Sequence, residues 1–297
     1  MKPRYINLHP YQYIPATNIT EAVSALARYG NRARILAGGT DLLVQLRGER
    51  YELDAVVDAK AIPELVELTL DGGLTIGAAV PCYQVYENLA IAAAFPGIID
   101  AASLIGGIQI QSRASLGGNL CNSTPSADGI CPLIVHSGVV TITGVDGTRT
   151  MPVEEFSTGP GRNALGNGEM LISINLPKPA AHFGAAYQRF IPRNEMDIAV
   201  VGVASAITLD ATGQKVESAR IALASVGPTP IFAKQASEFL AGQTATEETF
   251  AKAGAIASTE ATPISDMRGT IKQRHHLVEV LTRRTLVQAV RRARGNA

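Results

Sequence analysis

Residues 33–46 read Ala-Arg-Ile-Leu-Ala-Gly-Gly-Thr-Asp-Leu-Leu-Val-Gln-Leu: a short apolar run, two glycines, then leucines returning at about one helical turn. Residues 33–36 are a short strand, and Leu42, Leu43 and Leu46 place a short helix directly after residues 37–41. Strand, glycine turn, helix is an arrangement that turns backbone N–H groups toward an anion without needing a lysine. Gly38 and Gly39 let a phosphate come close to the main chain, and Thr40 offers a hydroxyl and a cap for the helix. A Gly-Gly turn between strand and helix is also a common connection, so this turn alone does not assign a ligand.

Upstream, Ala22, Val23, Leu26 and Ala27 recur at helical spacing, with Thr20 placed to cap a helix over 21–29 and Gly30 placed to end it. Downstream, residues 55–57 and 74–78 are strand-like, and residues 98–105 form a helix before a second glycine turn, Ser115-Leu116-Gly117-Gly118-Asn119. Residues 139–143 are a buried strand entering an Asp146-Gly147 hairpin. The second turn is followed by Ser123-Thr124-Pro125-Ser126-Ala127-Asp128, small hydroxyls with one carboxylate. Such a set suits the diols of a nucleotide, Asp128 accepting and Ser115 donating to a phosphate. Read plainly, the same residues are a polar turn with Asp128 capping a helix.

A second regime begins near residues 177–181, where prolines flank a link. Beyond it come β-type runs at 185–190, 198–209 and 218–226, then helices at 233–240, 247–258 and 271–294. Strands first and helices after imply a sheet covered on one face.

The composition excludes several classes. Of 297 residues 46% are hydrophobic and 18% charged, enough for two or three domains. Lysine plus arginine and aspartate plus glutamate both total 26, which calls for neither nucleic acid nor an anionic membrane as partner. Residues 1–16 show no leader-like apolar core and no segment has the length of a membrane span, so a soluble cytoplasmic protein is expected. Cys82, Cys121 and Cys131 form no C-x-x-C pair, which excludes a disulfide framework, a zinc ribbon and a four-thiolate cluster held within the chain.

Taken together, Ala-Gly-Gly-Thr-Asp at 37–41 and Ala-Ser-Leu-Gly-Gly-Asn at 114–119, with Asp128 nine residues after Asn119, resemble the two FAD loops of the molybdenum hydroxylase flavoproteins of xanthine dehydrogenase and carbon monoxide dehydrogenase type. The similarity runs from Pro15-Ala16-Thr17, through Asp58, to Arg193-Asn194-Glu195-Met196-Asp197-Ile198-Ala199. It implies an α+β chain. A two-subdomain FAD-binding domain of the PCMH, vanillyl-alcohol-oxidase-like type would span 1–177, in parts of about 1–55 and 56–177. An α+β domain like the carbon monoxide dehydrogenase flavoprotein C-terminal domain would span 182–297.

The resemblance also implies roles. Ile35, Leu36, Ala37, Gly38, Gly39, Thr40 and Asp41 would wrap the pyrophosphate and adenosine side. Ser115, Gly118 and Asn119 would complete the phosphate and ribityl contacts, with Thr124 beside them and Asp128 on hydroxyls of the cofactor chain. Ile105 and Leu171 would lie near the rings. Tyr187 would stand against the isoalloxazine; its other reading is a half-buried strand residue. Gln188 occupies the position where xanthine dehydrogenase-like members carry a lysine, so a cation near the flavin is missing there. The resemblance implies FAD in this chain, the molybdenum cofactor on a large partner subunit and two two-iron clusters on a small one, in a heterotrimer that is often doubled. Electrons would pass from the clusters to FAD and on to an external acceptor. No catalytic side chain of this chain and no metal ligand is implied.

Other signals are set aside. Gly159-Pro160-Gly161-Arg162-Asn163-Ala164 matches a dinucleotide fingerprint in letters but follows no convincing strand and opens no helix, so it reads as a loop. His275 and His276 are adjacent and point apart on a helix, unlike an i, i+4 chelating pair. From Arg268 onward eight lysines and arginines face one acid, Glu279, on a helix with an apolar stripe of Leu277, Val280, Leu281, Val287 and Val290. The stripe reads as core and the basic face as solvated. Two rival functions stand beside the main one. A self-contained flavin reductase using NAD(P)H, similar to the enolpyruvyl reductase of cell-wall synthesis, would need a general acid near the flavin. A non-catalytic assembly subunit would have little use for Gly38, Gly39, Gly117, Gly118 and Asp128.

Overall fold

The computed structural model describes residues 9–295, so residues 1–8 of the stretch read for a leader lie outside it. Its first sheet is parallel, with Ala55–Asp58 between Gln12–Pro15 and Ala33–Leu36. A centre strand buried on both faces favours an unbroken apolar run, and Ala-Val-Val supplies one. Helix Ile19–Tyr29 covers one face with Ala22, Val23, Ala25 and Leu26, while Leu46, Leu53 and Val56 pack on the other. The cap of this helix is Asn18 rather than Thr20. Asn18 is extended, its side chain accepts from the Glu21 N–H, and Thr20 lies inside the first turn. Gly30 ends the helix with φ of 54°, as its position implies.

A five-stranded antiparallel sheet follows, in the order Leu68–Leu70, Gly73–Gly77, Met170–Pro177, Val139–Gly144, Gly147–Pro152. Met170–Pro177 is its buried middle strand. Gly147, with φ of 121°, closes the hairpin that the Asp-Gly pair foretells. Between strands the chain forms short helices, including Cys82–Tyr86, Leu89–Ala94, Pro96–Ala102, Leu116–Asn122 and Ile130–Val135. Several are too short to register as a 3.6-residue period, which is why the 82–94 region carries no helical signal. The helix expected over 98–105 starts earlier, at Pro96, whose fixed φ suits a first turn, and ends at Ala102.

The last sheet is antiparallel, in the order Phe183–Phe190, Val201–Leu209, Val216–Ala224, Ile231–Phe232. The second run starts at Val201, not at 198, because the Asp197 carboxylate accepts from the N–H groups of Arg193 and Ile198 and holds that segment as a turn. The expectation of a sheet covered on one face is also corrected. Val203, Ile207, Ile221 and Leu223 face the helices Lys234–Leu240, Glu247–Glu260 and Ile271–Ala293. Ala185, Tyr187, Ala204, Ala206, Ala222 and Ala224 face the other way, into the same core as Ile98 and Ile130. The small side chains let the short helices of the first half approach the sheet, so it is sandwiched. On the opposite face the final helix comes closer still: a Cβ on Gly184 would lie 2.0 Å from the Ala289 carbonyl oxygen.

The basic final helix also differs from its sequence reading. Its buried seam is Val278, Leu281, Thr282, Thr285, Leu286, Ala289, Val290 and Ala293, with Leu277, Val280 and Val287 only half-buried. Thr285 belongs to the core because its hydroxyl bonds Ser205 at 2.7 Å. Two arginines are not solvated. Buried Arg274 donates to the carbonyls of Val200 and Ser225 and to Asp266, and Arg292 clamps Asp100 of helix Pro96–Ala102 with both terminal nitrogens. His275 bonds Ser258, and no metal-holding cluster of His, Cys, Asp or Glu occurs among the described residues. No helix among them is long and apolar enough to cross a membrane.

Candidate functional site

The two glycine turns meet. Strand Ala33–Leu36 delivers Gly38 onto the main chain just ahead of Ser115, where a Cβ on Gly38 would lie 1.8 Å from the Arg113 carbonyl oxygen. Only a hydrogen fits there. Gly39 adopts φ of 77°, and the Leu36 side chain tucks beneath it. Helix Leu42–Arg47 then begins with Asp41 as its cap residue, although neither Thr40 nor Asp41 caps it through a side chain. The second turn is set by Ser115, whose Oγ accepts from the Gly118 N–H at 2.9 Å and donates to the Ala78 carbonyl at 2.7 Å. With its hydroxyl on the Ala78 carbonyl, Ser115 shapes the turn while lining the cleft. Asn119 holds the Gly129 N–H at 3.0 Å.

Ser115→Ala should therefore cost about 1 kcal/mol as a lost cap, with a further penalty from the orphaned Ala78 carbonyl. A urea titration showing no change in stability would remove this role.

Apart from Leu171, a third wall was missed in the sequence. Residues 158–171 complete the cleft, and within them the string set aside as a loop folds as a tight hairpin, Ser157–Gly159 with Arg162–Asn163. Asn163 Nδ2 donates to the Cys121 carbonyl at 2.7 Å and the Gly161 N–H to the Ser123 carbonyl at 2.9 Å, seating this hairpin on the second turn. Asn167 lies against Gly30, and Gly168 against Ala27. The legible signal was the spacing Gly159, Gly161, Gly166, Gly168 ahead of a buried strand, the same composition that marked the other two turns.

The resulting cleft has a volume of about 650 Å³, within the range of about 300–1,000 Å³ usual for bound small molecules. It gathers Ile35, Ala37, Gly38, Gly39, Thr40, Asp41, Ile105, Ser115, Gly118, Asn119 and Leu171. Leu36, Thr124, Asp128 and Tyr187 do not line it. Leu36 supports Gly39 from below, and Thr124 sits in the turn after Leu116–Asn122 with its carbonyl on the Ala127 N–H. Asp41 is exposed to solvent at the cleft, where neighbouring atoms partly desolvate its carboxyl and raise it, and no ion pair among the described residues holds it. An unpaired carboxylate repels phosphate and suits hydroxyl or N–H donors.

Asp128 and Tyr187 form a closed cluster instead. Tyr187, 3% exposed, donates its hydroxyl to Asp128 Oδ1 at 2.7 Å, and Arg189 donates to Oδ2. Asp128 caps no helix. Alternation along the strand puts Tyr187 and Arg189 on one face and Gln188 on the other, so Arg189 turns inward onto Asp128 and does not line the cleft. Burial pushes the Asp128 carboxyl up, and Arg189 and the Tyr187 hydroxyl oppose that rise. Burial and the neighbouring carboxylate raise the Tyr187 phenol well above its usual value, so it remains a donor. The backbone of Tyr187 is fixed as well, its N–H donating to Asp100 Oδ2 at 3.0 Å, which Arg292 also grips. The three cysteines are free; burial pushes the Cys82 thiol up to about 12, while half-buried Cys121 lines the cleft.

Residues 9–179 match the family model described as FAD binding domain in molybdopterin dehydrogenase, and residues 185–289 match the CO dehydrogenase flavoprotein C-terminal domain. The xanthine dehydrogenase FAD-binding subunit of Escherichia coli O157:H7 is 32% identical over 286 residues, covering 95% of this chain and 97% of that one. The carbon monoxide dehydrogenase medium chain of Afipia carboxidovorans is 30% identical over 286 residues, covering 96% and 98%. Among solved structures, CO dehydrogenase from Oligotropha carboxidovorans superimposes with a TM-score of 0.90 at 29% identity, over 95% of this chain and 98% of that one.

Proposed function

Because the chain belongs to the family of FAD-binding subunits of the molybdenum hydroxylases, we propose that it carries electrons from iron–sulfur clusters of a partner subunit to an external acceptor. The chain is a flavoprotein oxidoreductase subunit. The observation that carries the transfer role is the single cleft on which two glycine turns and the 158–171 wall converge. A bound FAD supplies hydride or single-electron chemistry without an acid–base group from the protein.

The chain's own residues fit that task. The Gly38 and Gly39 turn brings bare main chain to the cleft, and Gly118 leaves its Cα side open there, meeting only the Ser115 hydroxyl. Together they suit a pyrophosphate that binds through N–H groups. Asp41 suits sugar hydroxyls. Ile105 and Leu171 offer apolar contact for ring surfaces and keep water from them. Asp128 and Tyr187 reach the cofactor only if their mutual hydrogen bond opens; otherwise they act from behind the wall. The division into a FAD-binding domain at 1–177, in parts of about 1–55 and 56–177, and a C-terminal domain at 182–297 is part of this reading. The Asp100–Arg292 clamp joins the two.

A large molybdenum-cofactor subunit and a small subunit with two two-iron clusters complete the proposed heterotrimer, and organic substrate turns over on the large one. Three unpaired thiols fit a reducing cytoplasm. The test is purification of the tagged chain from its host under mild conditions, with a flavin spectrum and identification of copurifying chains. FAD together with molybdenum- and iron–sulfur-bearing subunits is the expected result. A lone flavoprotein reduced by NAD(P)H would overturn it in favour of a self-contained reductase.

A further inference from the structure

A second pocket, of about 170 Å³, lies where the two halves of the chain join, and it shares no lining residue with the large cleft. Its floor is the face of the last sheet that meets the first half. Strand pairing sets Phe183, Thr208 and Ser218 in one row and Ala206 opposite Arg220 in the next, so these side chains share that face. Residues 135–137, at the end of helix Ile130–Val135, and the 177–180 link form its walls. It is smaller than the cavities of about 300–1,000 Å³ that hold most bound organic molecules, so its occupant must be compact.

Arg220 is fixed before any ligand arrives. Its Nε donates to the Ile134 carbonyl at 3.0 Å and its Nη2 to Glu154 at 2.7 Å, and the guanidinium lies 4.1 Å from the centre of the Phe232 ring. Nη1 takes no partner among the described residues. Glu154 balances this cation from outside the pocket, and exposed Lys178 then leaves the lining with an excess of positive charge. His136 adds none, because burial, with Arg292 nearby, pushes its imidazole down to about 3. No Asp or Glu lines the pocket among the described residues. The rest of the lining is largely apolar, including Val135, Pro179 and Phe183. A fully polar anion would leave that surface without a partner, and a neutral apolar molecule would leave the guanidinium without one. A carboxylate on a compact apolar body meets both demands, its oxygens on Arg220 and Lys178 and its body against Phe183 and Ala206. We propose that this pocket binds a small monocarboxylate of that kind, apart from the flavin cleft, and that its occupant ties the 177–180 link to the last sheet.

The test titrates the full-length chain by calorimetry with sodium benzoate, and with benzamide as its uncharged match. Benzoate should bind at a single site, about tenfold or more tighter than benzamide, and should raise the melting temperature. Excess FAD should not displace it. Lys178→Met and Arg220→Met should each weaken benzoate about tenfold. Arg220→Met also strips Glu154 of its partner, so Ser218→Tyr serves as a second variant. Ser218 is exposed at the pocket, and a ring there should abolish binding while the circular dichroism and melting temperature of the unliganded chain stay as in wild type. A wild type that takes no benzoate, takes benzamide equally well, prefers inorganic phosphate or releases benzoate to FAD overturns the proposal. So does a folded Ser218→Tyr chain that binds benzoate as wild type does.

Discussion

Gly118→Trp should yield a folded chain without flavin, and Gly38→Ala a chain that loses both flavin and stability. The two glycines sit on the same cleft for different reasons. At Gly118 a Cβ meets only the Ser115 hydroxyl, at 3.1 Å, and the rest of its surroundings is open cleft. An indole can grow into that space without disturbing the core, and it then occupies the volume a cofactor needs. At Gly38 a Cβ meets the Arg113 carbonyl oxygen at 1.8 Å and the Ala114 nitrogen at 3.1 Å. Both are main chain, so no rotamer relieves the contact and the two turns must separate. Overpacking costs of about 1–3 kcal/mol are usual, and a backbone clash belongs at the upper end. Flavin absorbance per chain and a thermal melt separate the outcomes. Full flavin content in folded Gly118→Trp would remove this cleft as the cofactor site.

Arg189→Met should destabilise the chain by about 3–5 kcal/mol at neutral pH, because it strands the buried Asp128 carboxylate without its cation. Arg189 and Asp128 side chains are 6% and 11% exposed, so solvent cannot replace the partner. The pH dependence has a defined sign. Burial already raises the Asp128 carboxyl and Arg189 opposes the rise, so removing Arg189 raises it further above the unfolded value. A group with a raised folded value binds its proton more tightly in the native state. The penalty is therefore small below the unfolded carboxylate value of about 3.9, grows as pH rises toward the folded value, and is constant beyond it. Urea midpoints at pH 5 and pH 8 should show the variant closer to wild type at pH 5. Asp128→Asn in the same chain should recover much of the loss by removing the charge. A variant as stable as wild type at pH 8, or a deficit equal at both pH values, would show that the pair is not a buried ion pair in solution.

Much of this architecture was legible because local periodicity and tertiary environment agree. The Asp146-Gly147 hairpin, the helix ending at Gly30 and the strand–Gly-Gly–helix unit follow from short-range geometry. The stretch 55–57 is apolar because it is buried on both faces. Signals failed where an element spanned fewer than two helical turns, as for Leu89–Ala94, or where a side chain's partner lay far along the chain. Thr285 looks polar until Ser205 is placed opposite it, and Arg274 and Arg292 look solvated until their distant carbonyl and carboxylate partners are found. The third wall of the cleft was discounted for the same reason: its glycines resemble any loop until Asn163 is seen holding Cys121.

By itself, the sequence determined the two glycine turns, their order, the mixed α and β character and the family they belong to, since each depends on residue type over a few neighbours. Only the tertiary structure decided that Gly38 touches the chain beside Ser115, that Asp128 is turned toward Tyr187 and Arg189, and that the last sheet is covered on both faces. Those outcomes depend on contacts between residues tens to nearly two hundred positions apart. Close packing, not local propensity, selects which of the many compatible pairings is made.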